Sequence, residues 1–129
     1  MEIKKIAVIG AGTMGAGIAQ VCCENDYETT LFDKFPESLQ NGLEKIHSFW
    51  DKGISKGKTT IEQKNMWTSK LKISNDLPST VSDADLVIEA VPEIIDLKLD
   101  IFQELDKLTN PNCILASNTS SLSITKIAN

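Results

Sequence analysis

Three glycines near the start of the chain have the spacing of a phosphate-binding loop. Gly10, Gly12 and Gly15 follow the apolar run IAVI at residues 6–9, and small and apolar residues continue to residue 23. The apolar run predicts a buried strand, and the segment after it predicts a helix. In such a turn the first glycine allows a sharp bend, the second a close approach to a pyrophosphate, and the third close helix–sheet packing. We therefore expect a dinucleotide to bind at Gly10, Ala11, Gly12, Thr13, Met14 and Gly15.

An aspartate after the second apolar-rich run supports this interpretation. Asp33 follows the residues ETTLF at 28–32, roughly 20 residues after the first glycine, as the dinucleotide fingerprint requires. Its carboxylate can accept hydrogen bonds from both ribose hydroxyls of adenosine, and it would repel a 2′-phosphate. Lys34 follows, but the chain contains no arginine, so NAD is the expected cofactor rather than NADP. The alternative is a glycine-rich structural turn with an unrelated surface aspartate.

The order of apolar segments predicts the elements that position these residues. Strands are expected at residues 6–9, 28–32, 71–73, 86–91 and 113–116. The polar residues 75–82 predict a loop, and the pattern at 97–108 predicts an amphipathic helix. Strands that alternate with helices predict an α/β fold with a doubly wound parallel sheet of the Rossmann type. Ligands of such sheets bind outside the carboxyl ends of the strands, which places residues 10, 33, 89–93 and 117–121 along one rim.

A helical hairpin is predicted between the second and third strands. Apolar residues spaced by three or four predict a helix over residues 37–50, and Gly53 and Gly57 are expected to end it. Thr59 or Thr60 is expected to cap a second helix that runs to residue 70. Seven of the 13 lysines lie in or beside this hairpin. A solvated helical face is the expected explanation, and attraction of an anionic, phosphorylated ligand is the alternative.

Composition argues against several other functions. A chain of 129 residues with 41% hydrophobic and 24% charged residues is typical of one globular domain. The net charge of −5, without a basic and aromatic stretch, argues against nucleic acid as a partner. No run is long enough for a membrane span, and no signal peptide is recognisable, so a cytoplasmic protein is expected. Cys22, Cys23 and Cys113 are expected to be core residues rather than disulfide or metal ligands.

Three stretches resemble one family, the L-3-hydroxyacyl-CoA dehydrogenases, which include bacterial 3-hydroxybutyryl-CoA dehydrogenases. They are VIGAGTMGAGIAQ at 8–20, DLVIEAVPE at 85–93 and ILASNTSSLSIT at 114–125. With the helical hairpin they cover essentially the whole chain, so residues 1–129 look like the NAD-binding domain of that family. The resemblance implies an oxidoreductase of fatty acid β-oxidation or butanoate metabolism. Hydride would pass between NAD and a 3-hydroxyacyl-CoA/3-ketoacyl-CoA pair, with an acyl-CoA as substrate.

The resemblance also implies roles for individual residues. By similarity, the glycine loop holds the phosphates and Asp33 holds the ribose. Glu93 and Lys98 match family positions that contact the cofactor, and Ser120 matches the serine whose hydroxyl meets the substrate oxygen beside the nicotinamide. A hydroxyl there can steady an oxygen whose charge changes during hydride transfer. The alternatives are a helix cap for Ser120 and an exposed helix position for Lys98.

The chain departs from the family pattern in one respect that concerns catalysis. The family's general base is a histidine in a His-Phe-Phe-Asn-Pro motif, and this motif is not among the 129 residues. Nor is the helical C-terminal domain through which family members form homo-oligomers. His47, the only histidine, matches no catalytic position. Because a positioned base contributes ~10²–10⁴-fold to rate, we expect a fragment that binds NAD without turnover.

Two other functions are compatible with the same fold. The first is a dehydrogenase of another 3-hydroxy acid, such as 3-hydroxyisobutyrate or 6-phosphogluconate. These enzymes share the glycine turn but are not expected to carry SNTSS at residues 117–121. The second is a stand-alone NAD-binding module without a reaction of its own. The missing histidine favours this module, whereas SNTSS argues against it.

Overall fold

The computed structural model describes residues 3–90, 107–109 and 113–117. Within these segments, strands and helices alternate as the sequence predicts. The elements are β1 (Lys5–Ile9), α1 (Thr13–Glu24), β2 (Glu28–Phe32), α2 (Pro36–Ser55), α3 (Ile61–Lys70), β3 (Leu71–Ser74), α4 (Leu77–Val81), β4 (Leu86–Glu89) and β5 (Ile114–Ser117). None of the helices in these segments is both long and apolar enough to cross a membrane.

The strands form a parallel sheet in the order β3-β2-β1-β4-β5. Ile9, the last residue of β1, lies opposite Phe32 in β2 and Glu89 in β4. The three central strands therefore end in register. The residues that follow them, Gly10, Asp33 and Ala90, lie along the carboxyl ends of the strands, which we call the carboxyl rim. The strand order reverses between β1 and β4, where sheets of this kind bind their ligands.

Apolar side chains cover both faces of the sheet, which confirms the doubly wound architecture. Ile6 and Val8 of β1 belong to a buried cluster that includes residues of α1 and α2, whereas Ala7 and Ile9 belong to a second cluster. The second cluster contains Val81 from the end of α4. Successive residues of one strand thus pack on opposite faces, as strand geometry requires. This two-sided packing fixes the position of the carboxyl rim.

The predicted helical hairpin is present, but its first helix is longer than expected. Thr60 caps α3 in a capping box with Gln63, as the sequence indicates. Gly53 does not end α2, which continues to Ser55. A Cβ at Gly53 would lie 2.5 Å from Oγ1 of Thr59, so this glycine allows the following turn to fold back onto the helix. Gly57, with φ of 72°, lies in that turn.

A short helix replaces part of the loop predicted at residues 75–82. The Oδ2 atom of Asp76 accepts a hydrogen bond of 3.0 Å from the Ser79 N–H and thereby caps α4. Hydrogen bonds from Ser79 lower the pKa of Asp76. Of the amphipathic helix predicted at 97–108, only residues 107 and 108 are described, and both are helical.

Candidate cofactor-binding site

The three glycines of the loop after β1 meet three different physical requirements. Gly10 has φ of 109°, which disfavours any side chain, and its N–H donates to the Phe32 carbonyl at 2.8 Å. A Cβ at Gly15 would lie only 1.7 Å from the Gly10 carbonyl oxygen, so the first turn of α1 packs directly on the bend. A Cβ at Gly12 would have no described neighbour within 4 Å. The backbone at Gly12 is therefore open to a ligand.

The first turn of α1 has the features of an anion-binding helix end. Gly12 is the N-cap and has no side chain with which to cap the helix. Thr13 and Met14 are exposed, and the first turn contains no acidic residue. The N–H groups at the start of a helix lack intrahelical partners and carry the positive end of the helix dipole. A pyrophosphate beside Gly12 fits this environment.

The carboxylate of Asp33 joins the glycine loop to the start of α2. Its Oδ2 atom accepts a 3.0 Å hydrogen bond from the Ala11 N–H, and its Oδ1 atom accepts a 3.0 Å bond from the Phe35 N–H. An ionised carboxylate has about four acceptor positions, so each oxygen can also accept a hydrogen bond from a hydroxyl group. Asp33 is half-buried, and its two oxygens suit the two hydroxyls of a ribose. The loop and Asp33 together fit the adenosine pyrophosphate half of NAD.

A lysine of α2 also reaches this loop, which the sequence analysis did not anticipate. The Lys45 ammonium donates a 2.8 Å hydrogen bond to Oγ1 of Thr13. One turn earlier in α2, a Cβ at Gly42 would lie 2.8 Å from the Ala11 carbonyl oxygen. The glycine lets α2 approach the loop closely enough for Lys45 to contact it. The three-residue spacing of Gly42 and Lys45 on one helix face is the available sequence signal.

Three predicted site residues, Glu93, Lys98 and Ser120, lie outside the described residues, so their contacts stay predictions. The structure does bring β5 beside β4, with Ser117 opposite Glu89. The segment SNTSS therefore begins at the carboxyl rim, as expected. Glu89 is fully buried there.

The histidine and the two adjacent cysteines that could carry chemistry are packed against other parts of the fold. The His47 ring packs edge-on against Trp50, with ring centroids 5.8 Å apart. Cys22 and Cys23 are buried, and burial raises the pKa of the Cys23 thiol to about 11. These thiols are therefore protonated at neutral pH and are poor nucleophiles. In the described part of the chain, no group of three His, Cys, Asp or Glu residues could hold a metal ion.

Comparisons with known proteins agree with this geometry. Residues 5–129 match the family of the 3-hydroxyacyl-CoA dehydrogenase, NAD binding domain. The chain is 41% identical to a probable 3-hydroxybutyryl-CoA dehydrogenase from Bacillus subtilis, covering 99% of this chain and 44% of that protein. It is 37% identical to the 3-hydroxyadipyl-CoA dehydrogenase of Escherichia coli, covering 99% of this chain and 27% of that protein.

A solved structure extends the agreement to the backbone. The crystal structure of (S)-3-hydroxybutyryl-CoA dehydrogenase from Ralstonia eutropha superposes with a TM-score of 0.93 at 37% identity. The superposition covers 98% of this chain and 44% of that one. The chain thus spans less than half the length of the relatives it matches. On this evidence the chain belongs to the 3-hydroxyacyl-CoA dehydrogenase family and represents its NAD-binding domain.

Proposed function

We propose that this chain binds NAD along the carboxyl rim as part of an enzyme that moves hydride between NAD and a 3-hydroxyacyl-CoA/3-ketoacyl-CoA pair. The observation that carries the cofactor assignment is the Asp33 carboxylate, held by the Ala11 N–H beside the open backbone of Gly12. This arrangement places carboxylate oxygens that can accept hydrogen bonds from ribose hydroxyls next to backbone N–H groups that can bind a phosphate.

Each part of the loop has a separate task in this proposal. The N–H groups from Gly12 to Gly15 hold the pyrophosphate, and Asp33 accepts the ribose hydroxyls and excludes a 2′-phosphate. The bound cofactor supplies a hydride acceptor in one direction and a hydride donor in the other. By family resemblance, Glu93 and Lys98 contact the cofactor and Ser120 steadies the substrate oxygen.

The substrate assignment rests on the relatives. Two of them are named for oxidation of 3-hydroxybutyryl-CoA and 3-hydroxyadipyl-CoA, and we propose a 3-hydroxyacyl-CoA here. The chain's one histidine packs against Trp50, and we assign it no proton-transfer role. We therefore expect the 129-residue chain to bind NAD but not to oxidise a 3-hydroxyacyl-CoA. A cytoplasmic location is proposed because all three cysteines of the chain, Cys22, Cys23 and Cys113, are free thiols, as is usual in a reducing compartment.

Calorimetric titration of the 129-residue chain with NADH, and then with acetoacetyl-CoA, tests the proposal. Saturable NADH binding with weaker NADPH binding is expected, because Asp33 repels the extra phosphate. Subsequent binding of the ester would support the substrate class. Failure of a demonstrably folded chain to bind NADH would overturn the assignment of the glycine loop and Asp33.

The lysines at the tip of the hairpin offer a test of the CoA assignment. Lys52 lies in the last turn of α2, Lys56 is its C-cap, and Lys58 follows in the turn. All three are exposed, and together they can attract the phosphates of CoA. The triple change to alanine should weaken acetoacetyl-CoA binding by about tenfold, since exposed charge pairs contribute up to about 1 kcal/mol each. It should leave NADH affinity unchanged.

The variant Lys72→Ala controls for the loss of a single exposed lysine, since Lys72 is exposed on strand β3 at the edge of the sheet. It should bind the ester like the parent chain. If the triple variant and the parent bind the ester with equal affinity, these lysines form a solvated helical face and do not attract CoA.

A further inference from the structure

Lys45 occupies a place where a cation is unfavourable unless an anion is present. Its ammonium lies 2.8 Å from Oγ1 of Thr13, the first residue of α1. The start of a helix carries partial positive charge, so a lysine there is repelled by the helix dipole. The first turn of α1 offers no acidic residue to offset this repulsion.

Carboxylates within the described segments do not neutralise Lys45. Among these residues the ion pairs within 4.0 Å join Lys5 to Asp83, Lys64 to Asp51 and Lys70 to Asp26. The carboxylate of the loop itself, on Asp33, accepts from the backbone N–H groups of Ala11 and Phe35. Two positive features, the helix end and the ammonium, therefore meet at one exposed point.

The packing of α2 holds Lys45 at this point. Gly42 permits contact with the loop because any Cβ there would lie 2.8 Å from the Ala11 carbonyl oxygen and 3.3 Å from the Ala11 Cβ. Ile46, next to Lys45, is 1% exposed in the core, which fixes the rotation of the helix about its axis. From this position the Lys45 ammonium reaches Thr13 at the start of α1.

We propose that Lys45 is a cofactor-binding residue that contacts the pyrophosphate of NAD beside Thr13. The inference rests on the proposed function and adds one positive charge from α2 to a phosphate site otherwise made of backbone N–H groups. An ammonium has three donors, so the bond to Thr13 leaves two for phosphate oxygens. Because the chain has no arginine, a cation that reaches the loop from a neighbouring element must be a lysine, and Lys45 is a described lysine whose ammonium contacts the loop.

The variants Lys45→Gln and Lys45→Met separate charge from tethering. Glutamine keeps a donor for Thr13 but removes the charge, whereas methionine removes both. We expect both variants to bind NADH roughly three- to tenfold more weakly, the range for a partly exposed charge-assisted contact. The NADH affinity of the parent chain should also fall more steeply with added salt than that of either variant.

Lys72→Gln on β3 is the control for loss of one positive charge, and it should bind NADH like the parent. Thermal unfolding should be nearly the same in all variants, since Lys45 is exposed. Parent-like affinity and salt dependence in Lys45→Gln, or a loss confined to Lys45→Met, would show a tether between helices and overturn the inference. If the parent itself fails to bind NADH, the proposed function fails instead.

Discussion

Asp33 lies at the carboxyl ends of the strands and Asp85 at their amino ends, and each accepts hydrogen bonds from two backbone N–H groups. Asp85, before β4, uses a single oxygen, Oδ2, to accept from Lys4 at 2.9 Å and Lys5 at 3.0 Å. Asp33, after β2, uses both of its oxygens: Oδ2 accepts from the Ala11 N–H in the glycine loop, and Oδ1 accepts from the Phe35 N–H at the start of α2. The first arrangement joins two strands, and the second leaves acceptor capacity on both oxygens beside an open loop.

The strand end, rather than the residue type, separates the aspartate that joins two strands from the aspartate that we propose holds a ribose. Parallel strands bind ligands at their carboxyl ends, where Asp33 lies beside Gly12. At the amino ends, Asp85 is accompanied by the exposed ion pair of Lys5 with Asp83, 2.8 Å apart. The same kind of carboxylate–backbone contact therefore joins strands at the amino ends and leaves acceptor capacity for a ligand at the carboxyl ends.

The largest expected effect is a loss of stability when the glycine loop at the carboxyl rim is changed. Gly15→Ala places a methyl group 1.7 Å from the Gly10 carbonyl oxygen, so α1 must shift. We expect a loss of at least about 3 kcal/mol in the free energy of unfolding, at the upper end for overpacking, measured by denaturant titration. Gly12→Ala, where the space is open, should lose about 1 kcal/mol or less yet bind NADH more weakly. Equal stabilities of the two variants would contradict the packing described for α1.

A smaller effect, confined to binding, is expected for Asp33→Ala. Loss of the ribose contacts that we propose for Asp33 should weaken NADH binding by more than about 1 kcal/mol, the scale of hydrogen bonds lost at a polar site. The discrimination against NADPH should narrow as well, because the repelling charge is gone. Titration of both cofactors measures this, with Asp85→Asn as the matched control at the other end of the sheet. Unchanged NADH affinity would exclude Asp33 from the ribose site.

The smallest effect is a change in pH dependence for Asp85→Asn. Hydrogen bonds from the backbone N–H groups of Lys4 and Lys5 lower the pKa of Asp85 below its ordinary value of 3.8. A carboxyl whose pKa is lower in the folded state stabilises the fold above the unfolded pKa, and this stabilisation disappears as pH falls through the folded pKa. Unfolding measured from pH 6 to pH 2 should therefore depend less steeply on pH in Asp85→Asn. An unchanged slope would show that the amino-end contact is not coupled to folding.

Much of the carboxyl rim was predictable because it depends on local sequence. The IAVI run, the glycine spacing and Asp33 each require a particular backbone or side chain at a fixed distance along the chain. The structure confirms the strands, the parallel sheet and the hairpin capped at Thr60. The family resemblance supplied the substrate class, which these local patterns do not contain.

The features that escaped prediction depend on contacts distant in sequence. Gly53 resembles a helix breaker, yet α2 passes through it, and its missing side chain instead leaves room for Thr59 to fold back against the helix. The bond from Lys45 to Thr13 joins residues 32 positions apart, so neither residue identifies it alone. The short helix α4 was missed for a different reason. Asp76 and Pro78 form a helix start, but polar composition at residues 75–82 favoured a loop.

The position of Trp50 makes tryptophan fluorescence a probe of the contact between the hairpin and α1. Its indole N–H donates to Oε2 of Glu24 in α1 at 2.8 Å, and its ring lies 5.6 Å from that of Trp67 in α3. These are the two tryptophans of the chain, so its indole fluorescence arises where the hairpin meets α1. Emission from this pair should shift to the red when the hairpin separates from α1, before or with loss of the sheet. Because reduced nicotinamide absorbs light that indoles emit, bound NADH should quench the same emission by energy transfer.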